Sequence, residues 1–301
     1  MLRNSTICTL FEGDYHLGAA ALINSLYEAG FSGTVVCGYR GEIPPWAPAV
    51  ENLDRLQARF VEVATAVHFT NYKPAFLQAC WESAAPSVNQ LFYIDPDVVV
   101  KAPWQTIERW ALGGVAVCED VNPYLPARHP YRLAWLDFFG RHGLVPARAL
   151  DRYYNAGFLG VPRACRGVLE DWQRLLSLAE LELGPLDRIK SGAPHELFHT
   201  IDQDALNMAL LLSDTPINGA GPEAMDFFPG GHLLSHSVGG SKPWRGGFLR
   251  AALQGRPPGA AQKCFHQHLD GPLRVFPPFI ARRRRLELAI AALIGRFYRR
   301  A

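Results

Sequence analysis

Two kinds of apolar pattern alternate along the first hundred residues. Ser5-Thr6-Ile7-Cys8-Thr9-Leu10-Phe11 is a short run, mostly apolar and β-branched, that reads as a strand. Glu12-Gly13-Asp14 supplies turn chemistry. From Tyr15 to Gly30 the apolar residues Leu17, Ala21, Leu22 and Leu26 fall near helical spacing, with Gly30 as a stop. Thr34 to Tyr39 is a second strand. A strand, a helix and a strand at this spacing predict a βαβ unit and a parallel sheet. Ligands on such sheets bind beyond the carboxyl ends of the strands, a place that Phe11 to Tyr15 occupies here.

The same patterns continue. Ala49 to Ala58 predicts a helix, Arg59 to Val63 a short strand, and Asn71 to Ala84 a helix that tolerates Pro74 in its first turn. Leu91-Phe92-Tyr93-Ile94 is an apolar strand, and Val98-Val99-Val100 follows it closely. Trp104 to Ala111 is helical, and Gly114 to Cys118 is a strand that ends at Glu119-Asp120. The stretch from Asn122 to Ala149 is irregular and rich in Pro, His and Arg, with one helix near Tyr131 to Phe139; it reads as an acceptor loop or lid, or as solvated surface at Arg128, His129 and Arg132. Tyr153 to Val161 is a strand, Ala164 to Leu183 a helix, and His199 to Leu211 a helix capped by Thr200 or Asp202. His232 to His236 is the last strand. The fold class is therefore α/β, a sheet with parallel strands alternating with helices.

The chemistry gathers at strand ends. Asp95 and Asp97 flank Pro96 between two apolar runs, and a buried strand carries two acids only if something compensates their charge. At i and i+2 on a strand they point to one side and converge, which suggests a divalent metal. Lys73, a cation at a helix start, opposes the macrodipole and so faces something negative, or water. Tyr15 either stacks on a flat ring or packs the start of its helix. Asn155 beside the small Ala156 and Gly157, inside an apolar strand, signals close approach of a ligand or another backbone. Asp202-Gln203-Asp204 crowd the start of an apolar helix, more acids than one cap needs. His236 is a metal-ligand type, and it precedes a Gly239-Gly240 pair and Lys242, a combination suited to an anion such as phosphate.

Taken in order, these segments resemble the glycogenin-like family of GT-A-fold retaining glycosyltransferases, glycosyltransferase family 8, which includes bacterial lipopolysaccharide galactosyl- and glucosyltransferases. The resemblance rests on Asp95-Pro96-Asp97, Asn155-Ala156-Gly157-Phe158, Asp202-Gln203-Asp204-Ala205-Leu206-Asn207 and His236-x-x-Gly239-x-x-Lys242-Pro243-Trp244. It implies a GT-A fold (a single Rossmann-like mixed sheet flanked by helices), a UDP-sugar donor, Mn²⁺ (or Mg²⁺) and retention of anomeric configuration. By matching position, Asp95, Asp97 and His236 would hold the metal, and Gly239 and Lys242 the diphosphate. Tyr15 and the backbone near Leu10 would bind the base. Asn155, Asp202 and Gln203 would line the sugar and the reaction centre, with Lys73 and Asp120 as further sugar and phosphate contacts. The resemblance implies attack from the leaving-group side; a covalent intermediate on Asp202 or Gln203 is the alternative. Departures at Leu159-Gly160-Val161-Pro162 and after Asn122 bear on the acceptor rather than the donor site.

Composition narrows the picture without changing it. A hydrophobic fraction of 49% and a charged fraction of 19% over 301 residues describe a folded globular chain with ample core. The six cysteines are dispersed with no C-x-x-C pair, which reads as buried free thiols in a reducing, cytoplasmic compartment. The N-terminus carries no apolar core of a signal peptide, and no run approaches the ~20 apolar residues of a membrane span. A net charge of +2 calls for no nucleic-acid partner, but it is unevenly spread. Ala281 to the end holds seven arginines and one glutamate, a net of +6, so the remainder carries −4.

That asymmetry sets off a basic amphipathic tail, 276–301, from the rest of the chain, 1–275, which the resemblance makes a GT-A glycosyltransferase domain. Leu286, Ile290, Leu293, Ile294 and Phe297 share a helical face, which reads as an interfacial anchor on an anionic membrane, peripheral at its inner face, or as a helix docked on the domain. Three other functional readings stand beside transfer to a glycan or lipid-linked acceptor. One is a non-catalytic nucleotide-sugar binder on the same fold, and another a nucleotide-sugar hydrolase. The third is a zinc site at His266, His268 and Asp270 near Cys264, which lacks a second ligand pair.

Overall fold

The computed structural model describes residues 5–51 and 53–298. Its centre is a seven-stranded mixed sheet. The strands are β1 (Ser5–Glu12), β2 (Gly33–Arg40), β3 (Leu56–Glu62), β4 (Gln90–Ile94), β6 (Val115–Tyr124), β7 (Arg152–Pro162) and β8 (Ile217–Ala220), while β5 (Val98–Val100) lies outside it. Their spatial order is β3-β2-β1-β4-β7-β6-β8. Parallel pairing joins β1 to β2 and β4, β2 to β3, and β6 to β8; β7 runs antiparallel between β4 and β6. The expected α/β class and mixed sheet are what the chain forms.

Helices cover both faces, which is why the strands read as unbroken apolar runs. Along β4, Leu91 and Tyr93 pack into one core while Phe92 and Ile94 pack into the other. The first core is closed by α3 (Phe69–Ala79), α5 (Pro130–Arg141), α6 (Gly167–Leu183) and α7 (Ile201–Leu212). The second is closed by α1 (His16–Glu28), α4 (Trp104–Trp110) and α9 (Ala260–Gln267). All six cysteines are buried and free.

Several expected elements differ in detail. The helix expected over 49–58 stops early, as α2 (Ala47–Val50), because Leu56, Ala58 and Phe60 turn inward at a period of two and pair with β2. β6 does not end at Glu119-Asp120. It continues to Tyr124 through two register shifts against β7, irregularities that re-aim side chains beside a site. β8 was not expected; its four residues carry little pattern. The last strand is β9 (Leu234–His236), and it joins β5 in a separate antiparallel ribbon instead of adding to the main sheet. Neither Thr200 nor Asp202 caps α7 with its side chain; Asp204 Oδ2 instead accepts from the Thr200 N–H at 3.2 Å.

The tail forms α10 (Pro278–Phe297), which docks on α8 (Phe248–Leu253) through Leu288 and Ala291, with Ile294 half-buried beside them. Ile294 therefore belongs to the docking side and not to the free face expected for it. No helix among the described residues is long and apolar enough to cross a membrane.

Phe92 has no exposed surface and lies at the middle of the sheet, with its ring against Trp104 and Phe158. Phe92→Ala is expected to destabilise the fold by about 3–5 kcal/mol. Val145→Ala, at a residue 80% exposed, should stay within about 0.5 kcal/mol of wild type. Denaturant midpoints measured side by side check both.

Candidate active site at the carboxyl edge of the sheet

The site is built on a tight turn. β4 ends at Ile94, and Asp95-Pro96-Asp97 turn the chain into β5, with the Val98 N–H donating to the Asp95 carbonyl at 3.0 Å. Pro96 takes the second position of this turn, where its fixed φ is favoured. Asp95 and Asp97 therefore converge through a turn and not through the i, i+2 geometry of a strand. The turn is pinned from β7, whose Gly157 carbonyl accepts from the Asp95 N–H at 2.8 Å. Helix α1 presses on it from the other side. A Cβ at Gly18 would lie 2.3 Å from the Pro96 carbonyl oxygen, so only glycine fits.

The β5–β9 ribbon brings in the histidine. Val98 pairs with His236, and the Ser237 N–H donates to the Asp97 carbonyl at 3.0 Å. One ligand atom from each of Asp95, Asp97 and His236 lies within 4.8 Å of the others, close enough to share a cation. Among the described residues this is the one such group of three. The His236 ring packs on Gly157, where a Cβ would sit 2.5 Å from Cε1. Its Nε2 is 3.2 Å from Asp97 Oδ1, and its buried Nδ1 has no hydrogen-bond partner.

Two lysines compensate the acids. Lys242 Nζ is 2.5 Å from Asp97 Oδ2 and donates to the Ser237 carbonyl at 2.9 Å. Lys73, only 2% exposed, sits 3.2 Å from both Asp95 and Asp202 and donates to the Ala156 carbonyl at 2.9 Å. Its expected negative partner is thus a pair of carboxylates. Burial lowers the Lys73 pKa, but Asp95 and Asp202 outweigh it and hold the ammonium above its ordinary value. Burial likewise raises Asp97, but His236 and Lys242 prevail and hold its carboxyl well below the usual range. Three carboxylates, Asp95, Asp97 and Asp202, face two ammoniums, so the acids outnumber the lysines paired with them.

The polar side chains on β6, β7 and α7 interlock beside this cluster. Asn155 donates to Asp120 at 2.7 Å and accepts from the Gly157 N–H at 2.8 Å. Gln203 accepts from the Ala156 N–H at 3.1 Å. The Asp202 carbonyl accepts from the Trp172 indole at 2.9 Å, which fixes the first turn of α7. Tyr15 stands edge-on to Trp244 at 5.0 Å, and the Lys242 Nζ lies 5.7 Å from its ring centre. Gly239 adopts φ +87 on the loop between His236 and Lys242. Leu10 is buried on β1, its side chain directed toward Gly38 in the core, so its contribution to any site is limited to backbone. The other candidate residues are brought to this edge.

Sequence reasoning missed several participants. Tyr93 donates to Asp95 at 2.9 Å from within the β4 run, where it reads as plain core. Tyr153 donates to Asp204 at 2.7 Å. Asn207 exchanges bonds with the Tyr154 backbone, 2.8 Å to its N–H and 2.7 Å to its carbonyl, and so locks α7 to β7. Arg132 is a brace rather than surface, donating to the Leu125 and Arg152 carbonyls. The zinc reading fails. His266 bonds the Gln262 carbonyl, His268 pairs with Glu28, and Asp270 pairs with Arg285.

A cleft of about 740 Å³ is lined by Asp120, Gln203 and Gly239, which neighbour the cluster in sequence or by hydrogen bonds. Tyr131, Trp135 and Tyr153 line it too, with His129, His195 and His199. Aromatic faces and convergent polar groups suit a second, polar substrate.

No family model matches the chain, and no curated protein does. Among solved structures it is similar to the apo form of WbbM, a bifunctional glycosyltransferase, at 14% identity and a TM-score of 0.56. The likeness covers 94% of this chain and 52% of that one, so the chain spans about half the length of that structure. The likeness is one of fold.

Two outcomes follow from the electrostatics. Lys73→Met leaves Asp95 and Asp202 facing each other without their cation, and is expected to cost about 3–5 kcal/mol in denaturant unfolding. Adding Asp202→Asn should recover part of that loss; no recovery would contradict the pairing. Partly buried Asp204 is lifted to about 7 by burial, against about 3.9 for an unfolded aspartate. The folded state thus holds this proton more tightly, so the contribution is complete below about pH 4 and disappears as pH rises through about 7. The wild-type thermal midpoint should therefore fall more steeply between those values than that of Asp204→Asn. Equal slopes would contradict the shift.

Proposed function

We propose that this protein is a metal-dependent retaining glycosyltransferase of the glycogenin-like kind, moving a hexose from a UDP-sugar to a glycan or lipid-linked acceptor. The observation that carries this reading is the convergence of Asp95, Asp97 and His236 with Lys242 at the carboxyl edge of a sheet of glycosyltransferase fold, beside a second-substrate cleft. The motif order along the chain supports it independently.

The residues fit a divalent cation. Two carboxylates and an imidazole form a mixed set suited to Mn²⁺ or Mg²⁺, the excess carboxylate charge favours one, and the buried His236 Nδ1 lacks a partner. Asp95, Asp97 and His236 would hold it. When bound, such an ion neutralises the charge that develops on a departing diphosphate.

The chain's own groups do the rest. Lys242 supplies a point charge to the same diphosphate, and Gly239 leaves backbone N–H groups free to approach it. Tyr15 and the backbone at Leu10 bind the base. Lys73, Asp120, Asn155, Asp202 and Gln203 orient the sugar through its hydroxyls. The acceptor hydroxyl oxygen bonds to the anomeric carbon on the face that the diphosphate leaves. The carbon–oxygen bond to the diphosphate breaks with its electron pair, and the hydroxyl proton passes to a diphosphate oxygen. Asp202 is tied to Lys73 through Oδ2, which supports an orienting role for it over a nucleophilic one.

UDP release from a panel of UDP-sugars, with and without Mn²⁺, tests the reading. One donor should turn over only with the metal, and Asp97→Asn should lower the rate by about 100-fold or more. Turnover undiminished in that variant would overturn the assignment. Tight UDP binding with no turnover, even with membrane extracts as acceptor, would identify a binder. Free-sugar release indifferent to acceptor would identify a hydrolase.

A further inference from the structure

Helix α10 has two apolar stripes, and the fold uses one. At 100° per residue, Ala281, Leu288 and Ala291 lie on one side; Ala281 is buried in the second core, and Leu288 and Ala291 pack on α8. Phe279, Leu286, Ile290, Leu293 and Phe297 fall within a narrow band on the opposite side. They stay exposed to 75%, 61%, 43%, 53% and 86%. A helix docked on a domain has no reason to carry large apolar residues on its outer face. This stripe runs about 27 Å from end to end, too regular to be the scattered apolar residues of an ordinary surface.

The charge around the stripe identifies what covers it. Arg282, Arg283 and Arg296 are exposed and flank the band. None has a salt-bridge partner among the described residues, whereas Arg285 on another side pairs with Asp270. Glu287 is the helix's sole acid, and it turns toward α8, accepting from the Leu249 N–H. We infer that α10 seats this protein on an anionic lipid bilayer, lying in the plane of the interface with the Phe279–Phe297 band among the acyl chains and the flanking arginines on headgroup phosphates. A second copy of the chain fits less well, because a face-to-face pair would oppose its own arginines with no acids between them. The inference rests on the surface of α10 alone and holds whether or not the transfer reaction is right.

The test uses the full chain and vesicles. Wild type should sediment with vesicles of phosphatidylcholine and phosphatidylglycerol, stay in solution with phosphatidylcholine alone, and be released by high salt. Arg282→Gln/Arg283→Gln should weaken partitioning roughly thirtyfold. Ile290→Glu/Leu293→Glu should abolish it, with thermal midpoints at the wild-type value because all four side chains are exposed. Failure of the wild type to sediment with anionic vesicles overturns the inference, as does equal binding to neutral ones. A soluble dimer that Leu293→Glu converts to monomer would assign the stripe to a second copy and overturn it as well.

Discussion

Everything at the carboxyl edge depends on holding carboxylates close together inside a protein. Asp95, Asp97 and Asp202 sit where water is scarce, and like charges in that setting repel strongly. Lys73 and Lys242 make the arrangement tolerable. Lys73 ties the β4 turn to the first turn of α7, and Lys242 ties the same turn to the loop after β9. Each ion pair therefore fixes the relative position of two elements distant in sequence. The remaining negative charge leaves the edge ready for a cation.

The scaffold explains why so small a cluster is well defined. Gly18 lets α1 close on the turn, and Gly157 lets the His236 ring close on β7, at distances that no Cβ would permit. The Asn207 bridge to Tyr154 and the Trp172 bond to the Asp202 carbonyl lock α7 in register with β7. Side chains held this way keep their geometry before any ligand arrives, which is the condition for electrostatic stabilisation of a developing charge.

Much of the site was legible because its chemistry lies in short local motifs. Asp95, Asp97, His236 and Lys242 each stand where an apolar run ends, and hydrophobic burial alone does not account for them. What was not legible depends on distance. The partners of Lys73 lie 22 and 129 residues away, and nothing near Lys73 announces them. Tyr93 looks like core because most of it is core; only its hydroxyl reaches Asp95. Leu56 sits in a segment with passable helical spacing, and pairing with Gly33 decides it as strand. In α10 the sequence pattern merged two stripes into one, since Ile294 is apolar like its neighbours and only the docking on α8 separates them.

The central claim is that Asp95, Asp97 and His236 act together as one cation site. The most direct measurement is a Mn²⁺ titration followed by electron paramagnetic resonance, in the presence of UDP, on wild type and His236→Ala. The account predicts a single bound ion per chain in the wild type and a marked loss of affinity in the variant. Undiminished binding without the imidazole, or none in the wild type, would contradict it.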